Sequence, residues 1–342
     1  MSDVRSKRIR QADIAAAAGV SVSTVSRVLT NEPGISDMIR QHIFKVAGDL
    51  GYPLKTAVEA EAGGLALIAS DSVTGGLSVF YEGILEGLRA GAAERGMRFD
   101  IRLIREARTE PNLVMEYLQA AGAEGLFLVG IDPSEELCRW LEASGTPTVL
   151  VNGTDPKLRF DGVSPSNFFG AYNATRRLLD AGHRHILHLT GSHRQTIRER
   201  IRGFEAAIAS VEGAHGRIVP MNFRGSSSQE AHDTTAAILA ADEGFTAAFC
   251  MNDFIAVGVL DAVTEAGLRV PEDFAIVGFD DLPCALMTNP RLSTMRVDRA
   301  ALGREAVSLL ISRYRDRTAP ARHICQAVVP VAGGTVPDTD KL

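Results

Sequence analysis

The sequence predicts two unlike parts in one chain: a small all-α head, then an α/β body made of two doubly wound parallel-sheet lobes. Three observations carry this. Residues 11–29, QADIAAAAGVSVSTVSRVL, read as two short helices joined by a tight turn. From Leu65 onward, short apolar runs alternate with helix-like segments, the pattern of parallel strands covered on both faces. Charge divides at the same place: residues 1–55 carry a net +3 and the remainder −9, within a total of −6 over 342 residues.

Bulk composition bounds the reading. Hydrophobic residues are 45% and charged residues 23%, the profile of a soluble globular protein too long for one compact domain. No apolar run reaches about 18 residues, so no transmembrane helix is expected. The start, MSDVRSKRIRQ, is polar and basic and does not read as a secretory signal, so a cytoplasmic location is expected. Cys138, Cys250, Cys284 and Cys325 stand far apart in apolar contexts and are expected to be reduced and buried. There is no CxxC or HExxH spacing, so no metal is expected.

In the head, Ile14, Ala15 and Ala18 give the first helix an apolar face, and Gly19 sits where a helix ends in a left-handed residue. Arg10 is a poor N-cap, so this helix is expected to fray at its start. Ser21 stands at the N-cap of the second helix, where its hydroxyl can accept from the amide of Thr24. Val25, Val28 and Leu29 point inward, leaving Val22, Ser23, Ser26 and Arg27 outside. Ser36 caps a third helix with Ile39, Ile43, Val46 and Leu50 on its inner face, and Gly51 ends it. Spacing alone fits a helix-turn-helix and a generic pair of surface helices equally well.

The body repeats a strand-then-helix unit. LALIASD precedes a helix over Phe80–Arg95, FDIRLI one ending near Ala121, and GLFLVG the SEELCRWLEASG helix, with TVLVNG after it. HILHLTG precedes an Arg200–Ser210 helix, RIVPMNF one over Ser228–Ala240, and AAFCMND one over Phe254–Gly267, before AIVGFDD. Gly162–Asn167 reads as a crossover. In open α/β lobes ligands bind at the C-terminal ends of strands. The ends that matter are Ser70-Asp71, Asn152, Thr190 to Arg200, Asn252-Asp253 and Asp280-Asp281.

The run AGVSxxTVSRVL resembles the DNA-reading motif of the LacI/GalR-type family of ligand-responsive bacterial regulators. The order of motifs is kept over about residues 10–335, including NDxxAxG at Asn252 and GFDD ending at Asp281. The resemblance implies a helix-turn-helix DNA-binding domain at 1–51, a hinge at 52–63 and a periplasmic-binding-protein-like effector and dimerisation domain at 64–336. Lobe 1 is placed at about 64–163 and 295–322, and lobe 2 at about 164–294 and 323–336. It further implies a homodimer on a double-stranded DNA operator. Val22, Ser23 and Arg27 would address bases, and Ser21, Thr24, Ser36 and Arg40 would hold phosphates. The sequence departs from the family at the hinge. Its proline falls early, at Pro53, and Glu61, with Glu59 nearby, stands where the family has a minor-groove leucine wedge.

For the effector cleft the resemblance implies Ser70, Phe80, Tyr81, Asn152, Arg194, Arg200, Phe223, Asn252 and Asp280. Capping is the alternative role for Asp253, and a solvated charged face for Arg198 and Arg202. Plain core is the alternative for Phe80 and Tyr81. Two arginine forks suit a sugar, sugar acid or sugar phosphate. No GxSxG, P-loop or post-strand GxGxxG is present, so neither an enzyme nor a cofactor is expected. A solute receptor without regulatory work would lack the head. The implied function is a DNA-binding regulator, of repressor type, controlled by a small sugar-like effector.

Overall fold

The computed structural model describes residues 9–29, 34–50, 63–69, 78–105, 109–191, 194–222 and 227–337. The hinge, with Pro53, Glu59 and Glu61, lies outside them, as do Ser70 and Phe223.

The head is three helices: α1 Gln11–Ala18, α2 Val22–Leu29 and α3 Asp37–Asp49. Helices α1 and α2 meet at 110°, within the helix-turn-helix range. Gly19 makes the turn at φ 67°, the left-handed conformation that glycine adopts without Cβ strain. The core is Ile14, Ala15, Ala18, Val25, Val28, Ile43 and Ala47. Arg10 makes no side-chain cap, as expected, and its own amide donates to the Asp13 carboxylate at 2.7 Å. One expectation is corrected. Ile39 is exposed, and Ala47 takes the buried place on α3.

In the first lobe, strands β1 Gly63–Ala69, β2 Arg98–Ile104, β3 Gly125–Val129, β4 Thr148–Val151 and β5 Asp161–Pro165 alternate with α4 Ser78–Arg95, α5 Pro111–Ala121 and α6 Glu135–Ser144. In the second, α7 Asn167–Asp180, β6 His185–Thr190, α8 Gln195–Ala209, β7 His215–Pro220, α9 Ser227–Ala240, β8 Ala247–Cys250, α10 Asp253–Glu265 and β9 Ala275–Val277 follow. Then come α11 Pro283–Met287, β10 Thr294–Arg296, α12 Arg299–Arg315, β11 His323–Gln326 and β12 Val329–Val331.

The first sheet runs β11-β5-β4-β3-β1-β2 and the second β7-β6-β8-β9, every neighbour parallel. Strands β1, β3, β4, β8 and β9 are buried along their whole lengths, whereas the edges β2, β7 and β11 are largely open. This is why the central strands read as unbroken apolar runs. Strands β10 and β12 pair antiparallel, and bridges at Val277–Ser293 and Asp280–Arg296 join that ribbon to the second lobe.

Residues 323–326, allotted by the sequence to lobe 2, form an edge strand of the first sheet. A buried carboxylate directs them there. Asp161 at the start of β5 accepts Arg313 Nε at 2.9 Å and the Arg322 amide at 2.8 Å, and the Gly162 amide returns to the Arg322 carbonyl at 2.8 Å. The chain leaving α12 is thereby delivered to the free edge of β5. The same placement exposes Cys325, while Cys284 is half-buried; only Cys138 and Cys250 lie in the core as expected, and all four are free thiols.

Helices α4 and α12 pack at backbone contact. A Cβ on Gly87 would stand 2.1 Å from the Ala300 carbonyl oxygen, and one on Gly303 would stand 2.3 Å from that of Ile84. Among the described residues no single helix is long and apolar enough to cross a membrane.

Candidate functional site

Two surfaces gather the residues singled out above. On the head, Ser21, Val22, Ser23 and Arg27 are exposed, Val22 to 48%. Ser21 Oγ accepts the Thr24 amide at 3.0 Å, the expected N-cap, and bonds the hydroxyls of Ser23 and Thr24 at 2.7 Å each. Arg40 is half-buried and donates to the Val28 carbonyl at 3.4 Å. It therefore satisfies the C-terminal end of α2 from α3. Ser36 is exposed and immediately precedes α3.

The second surface is the cleft between the lobes, at the C-terminal ends of both sheets. Strand order reverses between β1 and β3, and again between β6 and β8. The loops after these strands diverge, as at the switch point of any doubly wound sheet. Tyr81, Asn152, Arg194, Arg200, Asn252 and Asp280 are all buried there.

They form two groups on α8. Arg194, at its N-terminus, faces the first lobe: it donates to Tyr81 Oη at 2.6 Å and to the Asn152 carbonyl. Asn152 Nδ2 donates to the same Tyr81 oxygen at 3.4 Å, while Asn152 Oδ1 is buried with no hydrogen-bond partner among the described residues. Arg200, about 1.7 turns further on, faces the second lobe. Its Nε donates to Asn167 Oδ1 at 2.9 Å, Nη1 to the Met251 carbonyl and Nη2 to Asp280 Oδ1 at 3.4 Å. Its guanidinium lies 3.7 Å over the Phe279 ring. Burial pulls Arg200 below the usual arginine range, and Asp280 opposes this. Burial likewise raises Asp280, with Arg200 and Arg299 holding it down.

Capping explains part of the set. Asn252 caps α10 through Oδ1, which accepts the Ile255 amide at 3.0 Å. Asp253 is structural: its carboxylate accepts the Leu282 amide at 2.7 Å and Thr294 Oγ1 at 2.6 Å, tying β10 to α10. Burial, with Asp280 close by, pushes Asp253 up to about 8. Phe80 is core, edge-on to Tyr81 at 5.2 Å. Arg198 and Arg202 are on the exposed face, and Arg202 pairs with Glu199 at 2.9 Å. The helix carrying these arginines begins at Gln195, a turn earlier than the sequence suggests.

Three participants had no site role assigned from the sequence. Asn167 orients Arg200, Phe279 underlies it, and Asp132, after β3, reaches across the cleft to the Gln195 amide at 3.1 Å. Asp132 lies three residues past the end of β3, and the strand-end rule extended to the loop in GLFLVGID would have found it.

A small-faced helix-turn-helix joined to a two-lobed body with a polar inter-lobe cleft defines a DNA-binding regulator carrying a sensor-like domain. Residues 12–53 match the family described as bacterial regulatory proteins, lacI family, and residues 175–336 match the periplasmic binding protein-like domain. The chain is 31% identical over 335 residues to an uncharacterized HTH-type transcriptional regulator in the aml 5′ region of Streptomyces limosus, covering 95% of this chain and 94% of that one. It is 26% identical to the HTH-type transcriptional repressor PurR of Aliivibrio fischeri, covering 89% and 91%. The fold is shared with the transcriptional regulator CelR–cellobiose complex at a TM-score of 0.69 and 24% identity, covering 96% and 100%. The chain belongs to the LacI family of DNA-binding transcriptional regulators.

Proposed function

We propose that this protein is a repressor whose operator affinity is set by a small polar effector bound between the two lobes. The observation that carries the effector half is Asn152: a buried amide oxygen without a partner among the described residues, beside a tyrosine hydroxyl and an arginine fork. Buried polar atoms are nearly always bonded, so such an atom at a cleft marks capacity for a ligand hydrogen bond. Tyr81, Asn152, Arg194, Arg200, Asn252 and Asp280 are the proposed contacts, and paired donors and acceptors of this kind suit vicinal hydroxyls. The cellobiose bound by the structural neighbour supports a sugar-like effector.

In the DNA half, Val22, Ser23 and Arg27 meet base edges, with Arg27 taking guanine bidentately, and Ser21, Thr24 and Ser36 contact phosphates. Arg40 reaches phosphate only in addition to its bond to α2. A head of net +3 binds phosphates weakly, so two heads of a homodimer are needed per operator. The effector shifts operator affinity by binding open and closed bodies unequally. No catalytic step is assigned, and the protein acts in the cytoplasm.

The test is a mobility shift with the DNA upstream of its own gene, with and without candidate effectors. Thermal shift against sugars, sugar acids and sugar phosphates identifies the effector, since a ligand at 100 times its Kd adds about 2.7 kcal/mol. No retarded band under any condition overturns the reading; sedimentation gives the oligomeric state.

A further inference from the structure

Among the described residues, the first turn of α8 takes no cap from the side chain of its own N-cap residue, Arg194. The amide of Gln195 instead donates to Asp132 Oδ2 at 3.1 Å, and Asp132 belongs to the facing lobe. The other carboxylate oxygen, Oδ1, accepts the Thr154 amide at 2.9 Å within its own lobe and stands 3.8 Å from Arg194 Nη2. The loops that present Asp132 are tightly packed. A Cβ on Gly153 would stand 2.2 Å from the Ile131 carbonyl, and one on Gly130 would stand 2.6 Å from the Tyr81 ring.

We infer that Asp132 is an inter-lobe latch: a carboxylate fixed in the first lobe caps α8 of the second and holds the body closed before any effector arrives. A helix N-terminus favours a carboxylate through its unpaired amides and dipole. Opening the cleft separates Oδ2 from the Gln195 amide and Arg194 from the carboxylate, but leaves the Thr154 bond intact. The latch therefore acts on closure and not on the fold of either lobe. Asp132 is a positioning residue for the cleft, and this rests on the reading above that lobe closure is the regulated event. An effector that bonds Arg194 or the start of α8 competes with Asp132, so the strength of the latch sets how much of the effector's binding energy goes into opening.

Asp132→Asn tests this directly. Asp132 offers Oδ2 to the Gln195 amide and Oδ1 to the Thr154 amide, whereas an amide side chain has a single acceptor oxygen, so one of the two amides must face an NH₂ group. Hydrogen exchange is followed on ligand-free, DNA-free protein, alongside X-ray scattering. The expected result is about tenfold faster exchange at the start of α8, residues 195–198, with β6 and β8 unchanged and a larger radius of gyration. Asp132→Glu keeps both acceptors and is expected to stay within about threefold of the wild type. Asp132→Ser, which also loses the second acceptor, is measured in parallel and decides the matter should the Asn variant not fold. Wild-type exchange at 195–198 in the Asn and Ser variants, or Glu exchanging as fast as they do, overturns the latch. Neither DNA nor effector enters these measurements, so a failed latch leaves the repressor reading standing, and a failed mobility shift leaves the latch standing.

Discussion

Replacing Arg200 by methionine keeps the length of the side chain and removes its charge and donors. Asp280, whose side chain is 4% exposed, loses the guanidinium at 3.4 Å, and Asn167 Oδ1 loses its donor at 2.9 Å. Breaking one side of a buried ion pair costs about 3–5 kcal/mol, chiefly for the charge left behind. The size of the loss depends on pH, and its sign follows from Asp280. Burial already raises that carboxyl, and Arg200 is one of the groups opposing the rise, so the substitution raises it further. A carboxyl whose folded pKa lies above its unfolded value is most favourable below the unfolded value. Its contribution is lost as pH climbs through the folded one, at up to about 1.4 kcal/mol per pH unit. The deficit of Arg200→Met relative to wild type should therefore be about 3–5 kcal/mol at pH 8 and clearly smaller at pH 5. Urea unfolding followed by far-UV circular dichroism at pH 5, 6.5 and 8 measures it, and the difference between proteins cancels groups common to both. A deficit below about 1 kcal/mol, or one that is flat or grows toward acid, refutes the dependence of Asp280 on Arg200.

Three further outcomes are expected. His188 is fully buried, stacked on Phe249 at 4.5 Å and bonded through Nδ1 to the Phe249 carbonyl at 3.0 Å, and burial lowers it to about 4. The unfolded chain then takes up the proton first as pH falls below about 6.5, which removes about 2 kcal/mol between pH 7 and 5; His188→Phe should flatten that part of the urea-midpoint profile, and an unchanged slope rejects it. Gly87→Ala forces α4 and α12 apart and should cost about 1–3 kcal/mol, read as a lower Tm. Arg27→Ala should weaken operator binding by about 5- to 150-fold in a mobility shift while leaving effector-induced thermal shifts as they are, because the head and the cleft have separate cores.

Where local rules decide structure, the sequence was readable. Ser21 caps α2 because its hydroxyl lies three residues before the amide it serves, and Gly19 turns the chain for reasons internal to one residue. The buried strands were legible for a similar reason: two covered faces leave no polar alternation to confuse the reading. Strand β11 was not legible, because nothing in RHICQAVV names the sheet it joins. That choice is made by Asp161, some 160 residues away in sequence, through its bonds to Arg313 and Arg322. In the cleft, polar residues at strand ends stood out against apolar runs, so Asn152, Asn252 and Asp280 were found. Phe279 did not stand out, since an aromatic closing an apolar run looks like core until Arg200 is seen lying on it.

Arg194, at the N-cap of α8, and Arg200, within it, look equivalent in sequence, and their surroundings separate them. The hydrogen-bond and ring partners of Arg200 among the described residues belong to the second lobe or its margin: Asn167, Met251, Asp280 and Phe279. Arg194, by contrast, bonds groups of the first lobe: Tyr81, the Asn152 carbonyl and, more distantly, Asp132. One helix thus carries a side chain that consolidates its own lobe and another that grips the opposite one. A substitution at Arg200 should appear as lost stability, whereas one at Arg194 should appear as altered closure with the lobes still folded. Helix α8 also receives its cap from across the cleft, so anything bound at its N-terminus is read by both lobes together. On the proposed reading, α8 is the element through which an effector in the cleft would change lobe geometry.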